Sequence, residues 1–358
     1  MKKRFIAFAA VLLLTACSAP KNVIILPEES QDVSVPEEAV PGDSGKYALN
    51  EEDFYRFNTN ARLEIYGEDG LRTNAEFSLT PLEGDIEGFI NFIISPDEVF
   101  RLWEVPVDVY VFCDGRLVPH SIDGGELTEM SQLTISTYNP VELPITIPEI
   151  KTEKGGTALA TIIINAMPDF IPHSWGQQLA TIQTCSFIVK AAADGQPDDA
   201  YHAAEKDYVT GILEDEYYIQ SGFTEFFDLG YTAQRTKELG MAAFHMDVPM
   251  KVNDSSSLYF SAQYPNDPYD WYGMVFIDGK LYDAFDGKKF VNFYTEGNSM
   301  MCYEIKPSVL PEPGRHSMAA LVLPSSAGIP YNIFEADGDE WLWIIPEGTR
   351  WNYQLVIE

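Results

Sequence analysis

Two short stretches of this chain concentrate residue types that could do chemistry. In Asn266-Asp267-Pro268-Tyr269-Asp270-Trp271-Tyr272-Gly273, aromatic rings alternate with carboxylates. A ring can stack on the apolar face of a sugar while a neighbouring carboxylate accepts hydrogen bonds from its hydroxyls. Asp267, Tyr269, Asp270 and Trp271 are therefore the candidate ligand-binding residues. In Glu335-Ala336-Asp337-Gly338-Asp339-Glu340, the side chains of Asp337, Asp339 and Glu340 offer oxygen ligands suited to Ca²⁺, although their spacing is not that of an EF-hand loop. Each stretch also has a plainer reading. Trp271 and Tyr272 can equally open a strand and enter a core, and the acidic segment reads as well as a solvated turn.

Nothing else in the sequence points to catalysis. His120, His173, His202, His245 and His316 are scattered, and none lies in a metalloprotease motif. There is no Gly-x-Ser-x-Gly elbow and no phosphate-binding glycine loop. With 55 Asp and Glu residues, a glycosidase-type carboxylate pair can be drawn anywhere, which is abundance and not evidence. Beyond Cys17 the chain has Cys113, Cys185 and Cys302. Cys113 and Cys185 either bridge two strands of the first half or stay as small buried thiols, and spacing alone leaves both open. No pair has zinc-ligand spacing.

The elements that would position these residues are organised around a hairpin that occurs twice, as Val111-Phe112-Cys113-Asp114-Gly115-Arg116-Leu117 and as Val275-Phe276-Ile277-Asp278-Gly279-Lys280-Leu281. Asp-Gly between apolar runs predicts a two-residue type I′ turn, because both central residues need positive φ. The flanks match as well. Phe89–Ile93 corresponds to Leu258–Ala262 upstream, and Leu143–Pro148 and Ala158–Ile164 correspond to Tyr303–Pro307 and Met318–Leu323 downstream. Offsets drift by several residues, as loop insertions produce.

Val107–Phe112, Ala158–Ile164, Thr181–Val189 and Tyr353–Ile357 are short, β-branched or aromatic, and bounded by turn formers, so they read as strands. Helical periodicity is confined to Glu51–Phe57 and Thr232–Met241. The expected fold is all-β: two tandem antiparallel, immunoglobulin-like β-sandwiches spanning 46–192 and 200–358. The small, polar run Ala191–Asp199 is the expected boundary. Tyr217, Tyr218, Phe223, Phe226, Phe227 and Tyr231 are expected to cover the seam between the halves.

At the N-terminus, Met1-Lys2-Lys3-Arg4 is basic, Phe5–Leu13 is apolar, and Leu14-Thr15-Ala16-Cys17 follows. This order is that of an export signal, and its last four residues resemble the lipobox of bacterial lipoproteins. The resemblance implies removal of residues 1–16 and diacylation of Cys17. The protein would then be held extracytoplasmically at a cell membrane or outer membrane through lipid alone. Residues 17–45, with several prolines and few aromatics, read as a flexible tether.

The formal net charge is −32, which excludes nucleic acid as a partner and disfavours adhesion to anionic headgroups. No cofactor is implied other than the Ca²⁺ considered above. The reading that follows is a lipid-anchored, non-catalytic module that binds an envelope protein or a glycan. Its alternatives are a secreted glycan hydrolase with carboxylates in an interdomain cleft, and a structural spacer.

Overall fold

A computed structural model describes residues 57–66, 71–77, 80–96, 104–136, 139–168, 170–171, 182–210, 226–232, 250–252, 257–263, 269–295, 299–328 and 352–358. Cys17, the tether, Asp267 and the acidic residues Asp337, Asp339 and Glu340 lie outside the described residues, as do 51–56 and 233–241 of the two helical expectations.

In chain order the first half supplies β1 (Phe57–Tyr66), β2 (Arg72–Asn74), β3 (Leu82–Glu83), β4 (Ile86–Pro96), β5 (Glu104–Cys113) and β6 (Arg116–Leu117). It continues with β7 (Ser121–Ile122), β8 (Met130–Ser136), β9 (Val141–Ile147), β10 (Lys151–Thr152), β11 (Gly156–Ala166) and β12 (Ile182–Ala193). One sheet has the order β2-β1-β4-β9-β7; the other runs β10-β12-β11-β5-β6, with β3 added to β12 and β8 added to β5.

The second half supplies β13 (Ala200–His202), β14 (Tyr208–Thr210), β15 (Phe226–Thr232), β16 (Met250–Val252), β17 (Ser257–Gln263) and β18 (Tyr269–Ile277). After these come β19 (Lys280–Leu281), β20 (Phe290–Thr295), β21 (Ser299–Ile305), β22 (Gly314–Pro324) and β23 (Asn352–Ile357). Its sheets run β13-β20-β18-β22-β23-β16 and β14-β21-β17-β15.

The repeat is thus a repeat of topology. The path β8-β5-β11-β12-β3 matches β20-β18-β22-β23-β16, including the parallel attachment of the last strand in each, and β1-β4-β9 matches β15-β17-β21. Two facing sheets with the hairpin strand central to one of them is the immunoglobulin-like sandwich arrangement. Both Asp-Gly turns have the expected backbone, with φ of 40° and 72° at Asp114 and Gly115 and 49° and 74° at Asp278 and Gly279.

Each sandwich has its own core, and a third core lies between them. Along β5, Val105, Val107, Val109 and Val111 enter the first core, while Tyr110 and Phe112 enter the third. On β18, Trp271, Val275 and Ile277 enter the second core, while Tyr272, Met274 and Phe276 enter the third. The two-residue period of a strand sends alternate side chains to opposite faces, so a strand buried on both faces reads as an unbroken apolar run. In the third core Phe112 meets Phe290 and Tyr272 at centroid distances of 5.0 and 5.5 Å, and Tyr110 meets Phe276 at 5.7 Å. Ala39–Glu358 accordingly forms one compact unit.

Two expectations need correction. Among the described residues the seam is closed by sheet faces: β15, which carries Phe226, Phe227 and Tyr231, pairs with β17 in the sheet on the far side of the second core, while Tyr217, Tyr218 and Phe223 lie outside the described residues. Cys113 and Cys185 are free. They lie opposite Ala160 and Ile162 on either side of β11, hence two strand spacings apart. That alone is roughly 9–10 Å, and the two-residue offset along the strands adds to it, so the pair is beyond the reach of a disulfide.

Candidate functional site

The two hairpin tips dock reciprocally, each on the other sandwich. Gly279 packs on Pro168, and its carbonyl accepts from Asn165 at 3.3 Å and from the Tyr110 hydroxyl at 3.5 Å. Gly115 packs on Asp198 and the Tyr272 ring, and its carbonyl accepts from the Asp199 N–H at 3.0 Å. Next to this second contact the seam opens into a cleft of about 400 Å³ lined by Asp114, Arg116, Asp198, His202, Asp270 and Asn292, among others.

A chain of hydrogen bonds runs along the cleft wall. The Tyr272 hydroxyl donates to Asp198 at 2.8 Å, and the other Asp198 oxygen lies 3.1 Å from His202 Nε2. His202 Nδ1 lies 3.1 Å from Asn292 Oδ1, and Asn292 Nδ2 donates to Asp270 at 2.9 Å. The Ser325 hydroxyl donates to the remaining Asp270 oxygen at 3.0 Å. Across the seam, the Ser326 N–H donates to Asp114 at 2.8 Å, and its hydroxyl accepts from the Leu159 N–H at 2.9 Å. This wall is assembled from the first hairpin turn, the segment between the sandwiches, β18, β20 and the turn after β22.

Burial sets the electrostatics. It pushes the Asp114 carboxyl above the usual carboxylate range, against the bonds from Ser326 and helped by the nearby Asp270 and Asp198. Asp270 is raised as well, again chiefly by burial, while Asn292, Ser325 and His202 pull the other way. Tyr272 is held firmly neutral by burial and by its bond to Asp198. Arg116 donates to Asp194 at 2.6 Å through Nη1, whereas its buried Nη2 has no hydrogen-bond partner among the described residues.

Of the residues singled out in the sequence, the structure brings one to this cleft. Asp270 lines it. Trp271 points the opposite way and is fully buried in the second core, so it offers no ring to a sugar, and the stacking platform is overturned at this position. Tyr269 opens β18 opposite Thr295. Asp267 and the acidic residues Asp337, Asp339 and Glu340 fall outside the described residues. Among the described residues, no three His, Cys, Asp or Glu side chains are arranged to hold a metal ion. No helix among them is long and apolar enough to cross a membrane.

Sequence reasoning took Asp114 only as a turn former, Asp198 only as part of the boundary run and His202 only as one of several scattered histidines, and it missed Asn292, Ser325 and Ser326 altogether. Their one local signal is that Asp198 and His202 stand four residues apart in a polar linker, too weak a pattern to single out.

No protein-family model matches the chain, and no curated protein matches it. Among solved structures, the E. coli chaperone DraB is 11% identical, with 84% of this chain and 98% of that chain covered and a TM-score of 0.22. The CsuC–CsuE chaperone–tip adhesion subunit complex of Acinetobacter baumannii is 10% identical, covering 78% and 97%, with a TM-score of 0.19. A variant of BcpA, the major pilin subunit of Bacillus cereus, is also 10% identical, covering 74% and 59%, with a TM-score of 0.20. Likenesses this slight carry no argument about what this chain does, which has to come from its own residues.

Proposed function

We propose that this protein is an extracytoplasmic, lipid-anchored binding module, held to a membrane through Cys17 and presenting the seam cleft to a hydroxylated ligand such as a glycan. The observation that carries the reading is Arg116, whose buried Nη2 meets no acceptor among the described residues although carboxylates abound in the cleft. An unmet buried donor costs about 1–3 kcal/mol, and a turn of the guanidinium onto a ligand oxygen in the cleft would relieve it. The third core supports the same reading, because walls fixed by packed aromatics keep their shape without ligand, which lowers the cost of binding.

Glycan-array binding by the full chain, with and without Ca²⁺, tests this directly. Binding to a glycan class that Arg116→Gln weakens is the expected outcome. Absence of array binding, together with clean capture of one envelope protein, would move the assignment to protein recognition.

One observation favours a second reading, a glycan hydrolase. Asp114 has the raised carboxyl that a general acid requires and lies near Asp270 and Asp198. Turnover of an array hit that Asp114→Asn abolishes would establish it. Against it, one Asp114 oxygen is already committed to Ser326.

A further inference from the structure

The repeat leaves one difference between the halves that points to a second interaction surface. In the second sandwich, β20 is flanked on its outer side by β13, a parallel strand from the preceding segment, with Ala200, Tyr201 and His202 opposite Phe290, Val291 and Asn292 and the Ala203 N–H donating to Asn292 at 2.8 Å. Ala200 packs into the third core, and Tyr201 packs on the second core, edge-on to Tyr303 at 4.9 Å. The equivalent strand of the first sandwich is β8, which pairs with β5 alone among the described residues.

Among the described residues, nothing pairs with the backbone of β8 on that outer side. The Pro106 carbonyl accepts from Met167, toward β11, so the intervening residues Val105, Val107 and Val109 direct their backbone groups toward β8, opposite Ile135, Leu133 and Ser131. The backbone groups of Met130, Gln132, Thr134 and Ser136 therefore point away from β5. At Met130 these groups are taken up by the Thr128 hydroxyl, at 3.0 and 3.3 Å, which marks one end of the open stretch. Natural proteins guard such edges with charges, prolines or bulges. Met130–Ser136 contains neither a charged residue nor a proline. Beside it, on the seam side, is a cavity of about 390 Å³ lined by Asp108, Gln132, Leu133, Thr134, Pro168 and Asp278, among others.

We infer that the outer edge of β8 accepts an extended segment of a partner protein as an added parallel strand, filling the place that β13 fills in the second sandwich. By that equivalence the segment alternates a small residue facing the seam with an aromatic one entering between the sheets. Charge sets its flanks: Glu129 precedes the strand, Glu104 stands opposite Ser136, and the chain carries −32, so the ends of the segment are basic. A second copy of this chain, with the same charge, is disfavoured. The proposed surface is separate from the cleft, since no residue of the β8 edge lines it.

The test is amide hydrogen exchange of the full chain with a small set of synthetic nonapeptides of the form Lys-Lys-Ser-Tyr-Ser-Val-Ser-Lys-Lys, with the central aromatic varied. Exchange at Gln132 and Thr134 should slow by about tenfold or more on saturation, with Ser131 and Leu133 unchanged. Thr134→Pro should abolish this protection, because it deletes an outward N–H that the ladder to β5 does not use, and proline is tolerated at such an edge. Thr134→Val should retain it. The inference is overturned if none of the peptides protects these amides, if they are already protected in the free chain, or if Thr134→Pro leaves protection intact. Protection that instead rises with protein concentration would assign the edge to a second copy and overturn it equally.

Discussion

The Tyr272 hydroxyl donates a 2.8 Å hydrogen bond to Asp198, so a residue on the central strand of the second sandwich is tied to the segment that joins the two halves. The ring of the same tyrosine packs edge-on to Phe112 of the first sandwich. One side chain therefore belongs to the polar cleft wall and to the apolar seam together. Tyr272→Phe should keep the packing and lose only the bond, costing about 1.5–3 kcal/mol since the acceptor is a carboxylate. Tyr272→Ala should cost about 3–5 kcal/mol by opening a cavity in the third core. Urea unfolding of both variants measures the difference, and a Tyr272→Phe variant as stable as the parent would mean that the hydroxyl contributes nothing.

The raised carboxyl of Asp114 predicts a direction of pH dependence. A group that binds its proton more tightly folded than unfolded favours the folded state at low pH, and that contribution is lost as pH rises from the ordinary value of 3.8 through the raised folded value. Asp114→Asn keeps an oxygen for the Ser326 N–H, and asparagine tolerates the positive φ of this turn. Relative to the parent, the variant should gain stability as pH increases across that window. Glu142 runs the other way, because the Arg72 guanidinium holds its carboxyl below the usual range and its contribution is lost as pH falls. Unfolding curves of parent and variant from about pH 3 to 8 check the sign. A constant difference would show that Asp114 does not titrate differently in the folded chain.

Gly279→Ala should weaken both halves together. A β-carbon there would run into the Pro168 side chain and backbone, and the residue would also have to adopt a φ of +74°. The backbone cost is about 1–2 kcal/mol and the overpacking adds about 1–3 kcal/mol. Gly287→Ala, at a φ of +79° with open space around it, should show only the backbone part. Thermal melts of the pair separate strain from loss of docking. Equal shifts would indicate that the hairpin tip bears no load at the seam.

Cys113 and Cys185 are fully buried, and burial pushes both thiols up, so neither should react with an alkylating reagent until the chain unfolds. Cys17→Ser should move the protein from the membrane fraction to the soluble fraction without changing its melting temperature. Alkylation of the native and the unfolded chain checks the first point and fractionation the second, and persistent membrane association of Cys17→Ser would remove lipid attachment at that residue as the anchor.

The all-β class, the duplicated topology and both type I′ turns were legible in the sequence because each follows from a local property. Two-residue periodicity marks a strand, and Asp-Gly marks a position where φ must be positive. Periodicity says that Asp270 and Trp271 point to opposite sides of β18, but it does not say which side meets solvent. That depends on what packs against each face, and here Trp271 entered the second core while Asp270 lines the cleft. Tertiary structure alone decided the rest. Asp114, Asp198, His202 and Asn292 come together only because the sandwiches dock through a third core. Cys113 and Cys185 stay apart because strand register sets β11 between them, and neither docking nor register is a property of any short stretch of chain.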